Sequence, residues 1–186
     1  MINKITSIEN LKKIVNKLKS KRKKIVLCHG VFDLLHIGHI NHFEEAKKFG
    51  DILVVSVTTY RYVNKGPGRP AFTDQDRLKS LAALKAIDYV VLSKYPTATN
   101  IIKELKPNIY CKGQDYKFIK NDITGEIKNE LNALKRVGGT KVYTKGPVFS
   151  SSNLINRFGR VRSSQQKTII DKIKKKYSFF EIKNKI

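Results

Sequence analysis

Gly30-Val31-Phe32-Asp33-Leu34-Leu35-His36-Ile37-Gly38-His39 is the stretch that decides the fold. The run before it, Lys24-Ile25-Val26-Leu27-Cys28, is short, apolar and β-branched, which predicts a buried parallel strand. The run after it, from Ile37 to Phe49, has helical spacing, with Gly50 just past its end as a stop. The stretch therefore sits where a strand turns into a helix. Free N–H groups at a helix start favour an anion, and His36 and His39 add donors on the same side, three residues apart. Gly38 lets a ligand approach the backbone closely, so the place suits a phosphate.

The same alternation continues outward. Upstream, Thr6 or Ser7 caps a helix whose Ile8, Leu11, Ile14, Val15 and Leu18 fall on one stripe. Downstream, Asp51 to Thr58 is a second apolar strand, followed by a Gly/Pro loop to Phe72 and a helix capped by Thr73 with Asp76 three residues on. Tyr89 to Leu92 is a third strand, and Thr99 to Lys106 a short helix stopped by Pro107. Asn108 to Lys112 is a fourth strand, Glu126 to Arg136 a helix, and Lys141 to Thr144 a fifth strand. Short apolar strands alternating with helices predict an α/β, Rossmann-like, doubly wound parallel five-stranded sheet with helices on both faces. Ligands of such sheets bind beyond the carboxyl ends of the strands, where these motifs lie.

At 186 residues the chain is long enough for one complete core and too short for two full domains with a linker. The character changes after Arg157, which predicts a domain over 1–157 and a basic extension over 158–186. A net charge of +23 would attract nucleotides, nucleic acid or anionic lipid. Lysine greatly outnumbers arginine, however, and pairs such as Lys12-Lys13 and Lys47-Lys48 fall on outer helix faces, so a solvated surface explains the charge better than a nucleic-acid footprint. No segment has the apolar length to span a bilayer and the N-terminus lacks an apolar signal core, so the expectation is a cytoplasmic protein without membrane insertion.

Cys28 and Cys111 fall in predicted buried strands and read as reduced structural thiols. All four histidines, His29, His36, His39 and His42, lie in one short stretch, which raises a metal site as an alternative. A catalytic zinc needs three converging ligands, and His29 is expected to point elsewhere from its strand, so no metal site is expected and His42 reads as a surface or packing residue. In Lys65-Gly66-Pro67-Gly68-Arg69-Pro70 the glycines permit unusual backbone angles and the prolines limit freedom, placing Lys65 and Arg69 to reach a triphosphate or an acceptor. In so lysine-rich a chain an arginine marks a place for a planar fork, and this applies to Arg69 and Arg77.

The pattern Gly-x-Phe-Asp-x-x-His-x-Gly-His resembles the signature of the cytidylyltransferase-like nucleotidyltransferases, which join a nucleoside triphosphate to a phosphorylated acceptor and release pyrophosphate. The resemblance runs from about Lys23 to Arg157. The Lys65–Pro70 loop and Lys112-Gly113-Gln114-Asp115-Tyr116 most resemble the heptose 1-phosphate adenylyltransferases, with the glycerol-3-phosphate cytidylyltransferases next. Lys145 stands where the cytidylyltransferases carry an arginine, and Gly146-Pro147 replaces their Thr-Glu, which weakens that second reading.

The resemblance implies a set of roles. His36, His39 and Lys65 would be catalytic, and Arg69 would bind the acceptor. Gly30, Val31, Phe32, Asp33 and Gly38 would lie against the nucleotide, with Asp33 orienting it or a magnesium-bound water. Arg77 would stand at the active-site rim, while Gly113 and Asp115 would line the nucleotide site. Ser150, Ser151 and Ser152 open a segment similar to the family's Ser-Thr-Thr, suited to β- and γ-phosphates. Mg2+ would arrive on the triphosphate, the acceptor would be a phosphorylated sugar or polyol, and a homodimer stays open. The tail is similar to the connector that follows this domain in fusions with a carbohydrate kinase of the ribokinase type, and carries no kinase motif itself. A nucleic-acid-binding protein on a nucleotide-binding scaffold is the competing reading from another class, supported by the charge alone.

Overall fold

The computed structural model describes residues 4–63, 69–114 and 126–145. The chain order is β1 (Ile5–Thr6), α1 (Ile8–Ser20), β2 (Ile25–Gly30), α2 (Ile37–Lys47), β3 (Ile52–Thr58), a 3₁₀ turn (Tyr60–Tyr62), α3 (Asp74–Ala82), β4 (Tyr89–Ser93), α4 (Ala98–Leu105), β5 (Ile109–Gly113), α5 (Ile127–Arg136) and β6 (Thr140–Thr144). The strands form one sheet in the order β1-β4-β3-β2-β5-β6, and every pair is parallel. The fold is the expected α/β one, with six strands rather than five. The extra strand is two residues long, paired as Ile5 with Val90 and Thr6 with Val91, too short to show a period of two ahead of the helix cap that Ser7 provides.

Alternation along the strands builds two cores. Ile25 and Leu27 of β2, Val54 of β3 and Tyr110 of β5 pack with Leu11, Ile101, Ile102 and Leu134 from α1, α4 and α5. Val26 and Cys28, Val55 and Val57, and Cys111 pack on the opposite face with Phe43, Ala46, Leu78 and Leu81 from α2 and α3. Strands covered on both faces read as continuous apolar runs because neither face meets water.

Three helices are capped by the side chains their sequences offer. Ser7 Oγ accepts from Asn10 N, Thr73 Oγ1 from Asp76 N and Thr97 Oγ1 from Thr99 N, each worth about 1 kcal/mol. Helix α4 ends on Lys106 in the left-handed region (φ 46°), immediately before Pro107. Gly50 serves a purpose other than the expected stop. A Cβ there would meet Val26 Cγ2 at 2.7 Å and the Lys24 carbonyl oxygen at 2.9 Å, so glycine is required by the close approach of the chain to the start of β2.

The arrangement creates a switch point. From β2 the chain moves by way of α2 to β3 and β4 on one side, while β5 and β6 occupy the other. The crevice beyond the carboxyl ends of β2 and β5 is therefore where a ligand of this architecture sits. Gly30 ends β2 and Gly113 ends β5 at that crevice.

Candidate active site

The turn from β2 into α2 is built around Phe32. Its backbone lies in the left-handed region (φ 47°), and its ring fills the space that a side chain at Gly30 would need, with ring atoms 3.0 to 3.3 Å from a Cβ placed there. The same ring meets His39 edge to face at 5.6 Å and Phe43 at 5.1 Å between centroids. Phe32 thus turns the chain and supports one of the two histidines from below.

His36 is the cap residue of α2 and His39 lies in its first turn. Their rings stack, with centroids 3.8 Å apart and planes inclined by 23°. Both therefore stand together at the amino end of a helix, beside its first N–H groups. Burial holds the His36 pKa below the usual 6.5, so the free ring is neutral at physiological pH. The first turn of α2 contains no acidic residue to compete for an anion.

The other two histidines are placed differently. His29 Nδ1 lies 3.2 Å from Ser56 Oγ and its Nε2 3.3 Å from Thr58 Oγ1, within the sheet. Burial, with a smaller effect from Lys112, brings its pKa down to about 3. His42 Nδ1 lies 2.8 Å from Thr144 Oγ1 of β6, and burial, again with Lys112, brings its pKa down to about 4.

Asp33 is buried, and protein groups engage its carboxylate. It accepts from Ala71 N (2.9 Å) and Phe72 N (3.0 Å). Arg69 Nε stands 2.9 Å from Asp33 Oδ2, an ion pair whose N–H is not aligned for a hydrogen bond. Asp33 thereby ties the histidine motif to the end of the Lys65–Pro70 loop. Arg69 is nearly buried, and its Nη2 has no hydrogen-bond partner among the described residues. Lys65 and residues 66–68 lie outside the described residues, as do Asp115 and Ser150, Ser151 and Ser152.

Arg77, expected at the rim, lies beneath it. The side chain is fully buried, its Nη1 donates to the Val31 carbonyl (2.7 Å) and the Thr58 carbonyl (2.8 Å), and its Nη2 pairs with Asp74. One guanidinium thus joins the carboxyl ends of β2 and β3. Asp74 in turn accepts from Thr59 Oγ1 (2.6 Å) and Tyr60 N (2.9 Å). Asp74 escaped the sequence reading, although an acidic residue one turn before a lone arginine is a usable signal.

Glu130 is a second such residue. Buried on α5, it accepts from Ala98 N (3.1 Å) at the start of α4 and from Tyr110 Oη (2.9 Å), and pairs with Lys112 Nζ at 3.1 Å. The base of the Lys112–Tyr116 loop is thereby anchored to two helices. The one group of three metal-ligating side chains among the described residues includes neither His36 nor His39. With Asp33 engaged by protein, the donor set at those two rings suits a divalent ion held by phosphate oxygens better than one caged by carboxylates.

The family model described as cytidylyltransferase-like matches residues 27–157. The chain belongs to this family and is with it a nucleotidyltransferase, a class that generally uses a divalent metal with its nucleoside triphosphate. It is 38% identical over 138 residues to the bifunctional protein HldE of Aliarcobacter butzleri, covering 73% of this chain and 29% of that protein. It is 36% identical over 152 residues to the bifunctional protein HldE of Helicobacter pylori, covering 81% of this chain and 31% of that one. The chain thus spans less than a third of the length of these relatives. Among solved structures it is similar to a lipopolysaccharide core biosynthesis protein from Thermoplasma volcanium, with TM-score 0.53, 29% identity, and coverage of 69% of this chain and 99% of that one. It shares its fold with a pantoate-β-alanine ligase from Francisella tularensis, with TM-score 0.56, 18% identity, and coverage of 91% and 77%. No helix among the described residues is long and apolar enough to cross a membrane.

Proposed function

We propose that this chain couples a nucleoside triphosphate, ATP in preference to CTP, to a sugar 1-phosphate of the heptose type with release of pyrophosphate. The observation that carries the reading is the stacked pair His36 and His39 at the start of α2, at the switch point between β2 and β5. An oxygen of the acceptor phosphate attacks the α-phosphorus in line, the bond from that phosphorus to the bridging oxygen breaks, and pyrophosphate carries away the electron pair. Charge grows on the equatorial oxygens and on the leaving group, so the protein's task is to position and to donate hydrogen bonds. His36, His39 and the N–H groups of the first turn of α2 are those donors. Bound Mg2+ would neutralise part of the triphosphate charge, held through the phosphates.

Other roles follow from placement. Gly30, Val31, Phe32 and Gly38 form the floor against which the nucleotide lies, and Gly113 lines the far side of the crevice. Arg69 offers the acceptor phosphate its Nη2, which has no hydrogen-bond partner among the described residues. Asp33 and Arg77 act as positioning residues, the first on the Lys65–Pro70 loop and the second on the ends of β2 and β3. Lys65, Asp115, Ser150, Ser151 and Ser152 keep the roles that the resemblance implies. The resemblance of two loops to the heptose 1-phosphate adenylyltransferases and the similarity to bifunctional proteins HldE both support the sugar-phosphate acceptor. The nucleic-acid alternative rests on charge alone and accounts for neither the paired histidines nor the loops.

The test is a matrix of ATP, CTP, GTP and UTP against heptose 1-phosphate, glycerol 3-phosphate and their unphosphorylated counterparts, scored by pyrophosphate release. ATP with the sugar 1-phosphate is expected to lead, and unphosphorylated acceptors to be inert because Arg69 needs an anion to bind. Faster turnover of CTP with glycerol 3-phosphate would move the chain to the cytidylyltransferase side of its family. Efficient use of an unphosphorylated sugar would overturn the acceptor mechanism.

A further inference from the structure

On the α2–α3 side of the sheet, Cys28 of β2, His42 of α2 and Cys111 of β5 bring a ligand atom each to within 4.8 Å of one another. They form the one such group of three among the described residues. The convergence follows from register. Leu27 of β2 pairs with Tyr110 of β5, so Cys28 and Cys111 come next on adjacent parallel strands and point to the same face. Helix α2 packs on that face through Phe43 and Ala46, and the phase of Phe43 brings His42 beside the thiols.

Three further features favour a ligand set over simple packing. Both cysteines are free thiols. His42 Nδ1 is engaged by Thr144 Oγ1 at 2.8 Å, which fixes the ring and leaves Nε2 for a metal, the part that an outer partner plays at a metal-bound imidazole. Two thiolates and an imidazole also form a soft donor set, which selects zinc over magnesium or calcium.

We propose that Cys28, His42 and Cys111 bind one zinc ion that clamps α2 to the centre of the sheet. Two S–H bonds are replaced by two S–Zn bonds, and two protons pass to solvent without oxidation or reduction. The cation's two charges are balanced by the two thiolates, so no net charge is added to the core. The three side chains leave one position of a tetrahedral ion for a fourth donor. The clamp holds the helix whose first turn carries His36 and His39, but neither of those rings is a ligand, and its test does not depend on the reaction proposed above. The thiols are reduced and buried as expected, and the proposal adds a ligand role for them and for His42, which the sequence read as a surface or packing residue.

The experiment uses the full untagged chain, reduced, stripped with chelator and titrated with Co2+ as a spectroscopic probe. One equivalent per chain is expected to bind with thiolate-to-cobalt charge transfer and tetrahedral ligand-field bands, to be displaced by Zn2+, and to shield both thiols from alkylation. Cys111→Ser should lose about half of the charge-transfer intensity and His42→Ala should shift the ligand-field bands. Thr144→Val keeps all three ligands and should weaken binding about 10- to 100-fold, which preserves a readout if a cysteine variant fails to fold. Absence of charge transfer in the wild-type chain at saturating cobalt would overturn the proposal. So would cobalt spectra unchanged in a Cys28→Ala/Cys111→Ala double variant, or a Cys28–Cys111 disulfide forming at the same rate with and without metal.

Discussion

The four histidines between residues 29 and 42 divide into two pairs that share a residue type and little else. His36 and His39 stack on each other at the start of α2, beside helix N–H groups that face the crevice of the sheet. His29 and His42 lie on opposite faces of the sheet, the first ring held by two hydroxyls and the second by one, and burial pushes both well below the ordinary imidazole pKa. The lesson is that position on a strand or helix sets the chemistry of a ring before its neighbours do. A ring at a helix start can donate to a ligand, whereas a ring within the layers becomes a neutral group that orders hydroxyls or holds a metal.

The largest expected effect breaks the outer pair. His36→Ala and His39→Ala should each lower turnover by roughly 10² to 10⁴, the scale of removing one preorganised transition-state donor. The melting temperature should move little, because neither ring fills the cores around Phe43 or Tyr110. Turnover and melting temperature measured on the same preparations would separate the two roles. Near-wild-type turnover in both variants would remove the outer pair from the chemistry.

A smaller effect, in a different quantity, belongs to the inner pair. His29→Ala leaves Ser56 Oγ and Thr58 Oγ1 without the ring that bonds both. Ser56 and Thr58 are buried, so the loss should cost about 1–3 kcal/mol of stability, the usual penalty for a stranded buried polar group. Denaturant titration would measure it. A variant as stable as the parent would show that the hydroxyls find other partners, and the contrast between the pairs would then rest on the outer one alone.

The outer pair was legible in the sequence because everything that defines it is local. A strand run, a glycine turn and His-x-Gly-His at a helix start all fall between Lys24 and His39, and they fix which side of the helix the rings occupy. The contacts that shape the rest of the site cross long stretches of chain. Asp33 reaches Ala71 and Phe72, and Arg77 reaches Val31 and Thr58, through pairings that depend on how loops return to the sheet. The resemblance put Arg77 at the active-site rim and Asp33 against the nucleotide, and it carried no sign that Arg77 is buried against the ends of β2 and β3 or that the Asp33 carboxylate also holds a loop. Convergence of Cys28, His42 and Cys111 depends on the register of β2 against β5, strands separated by α2, β3, α3, β4 and α4. Parity along each strand was readable, but register was not. The two-residue β1 exists through its pairing with β4 and has no local period to betray it.

The smallest effect sharpens the comparison by following a proton. Burial holds the His36 ring of the unliganded chain below the usual pKa of 6.5, so near neutrality it meets the nucleotide uncharged. A triphosphate bound against it favours the charged ring and raises that pKa. Binding must then take up protons over the window between the free and bound values, and by linkage nucleotide affinity rises as pH falls through that window. Titration calorimetry in buffers of different ionisation enthalpy would read the uptake directly, as a fraction of one proton per nucleotide. The triphosphate also titrates near this pH, but its contribution appears equally in His36→Ala and cancels in the difference. His29→Ala should show the wild-type uptake, because that ring stays neutral in both states. Equal uptake by the wild type and His36→Ala would mean that the first ring of α2 does not feel the phosphates, leaving His39 and the helix N–H groups as the donors at this end of the sheet.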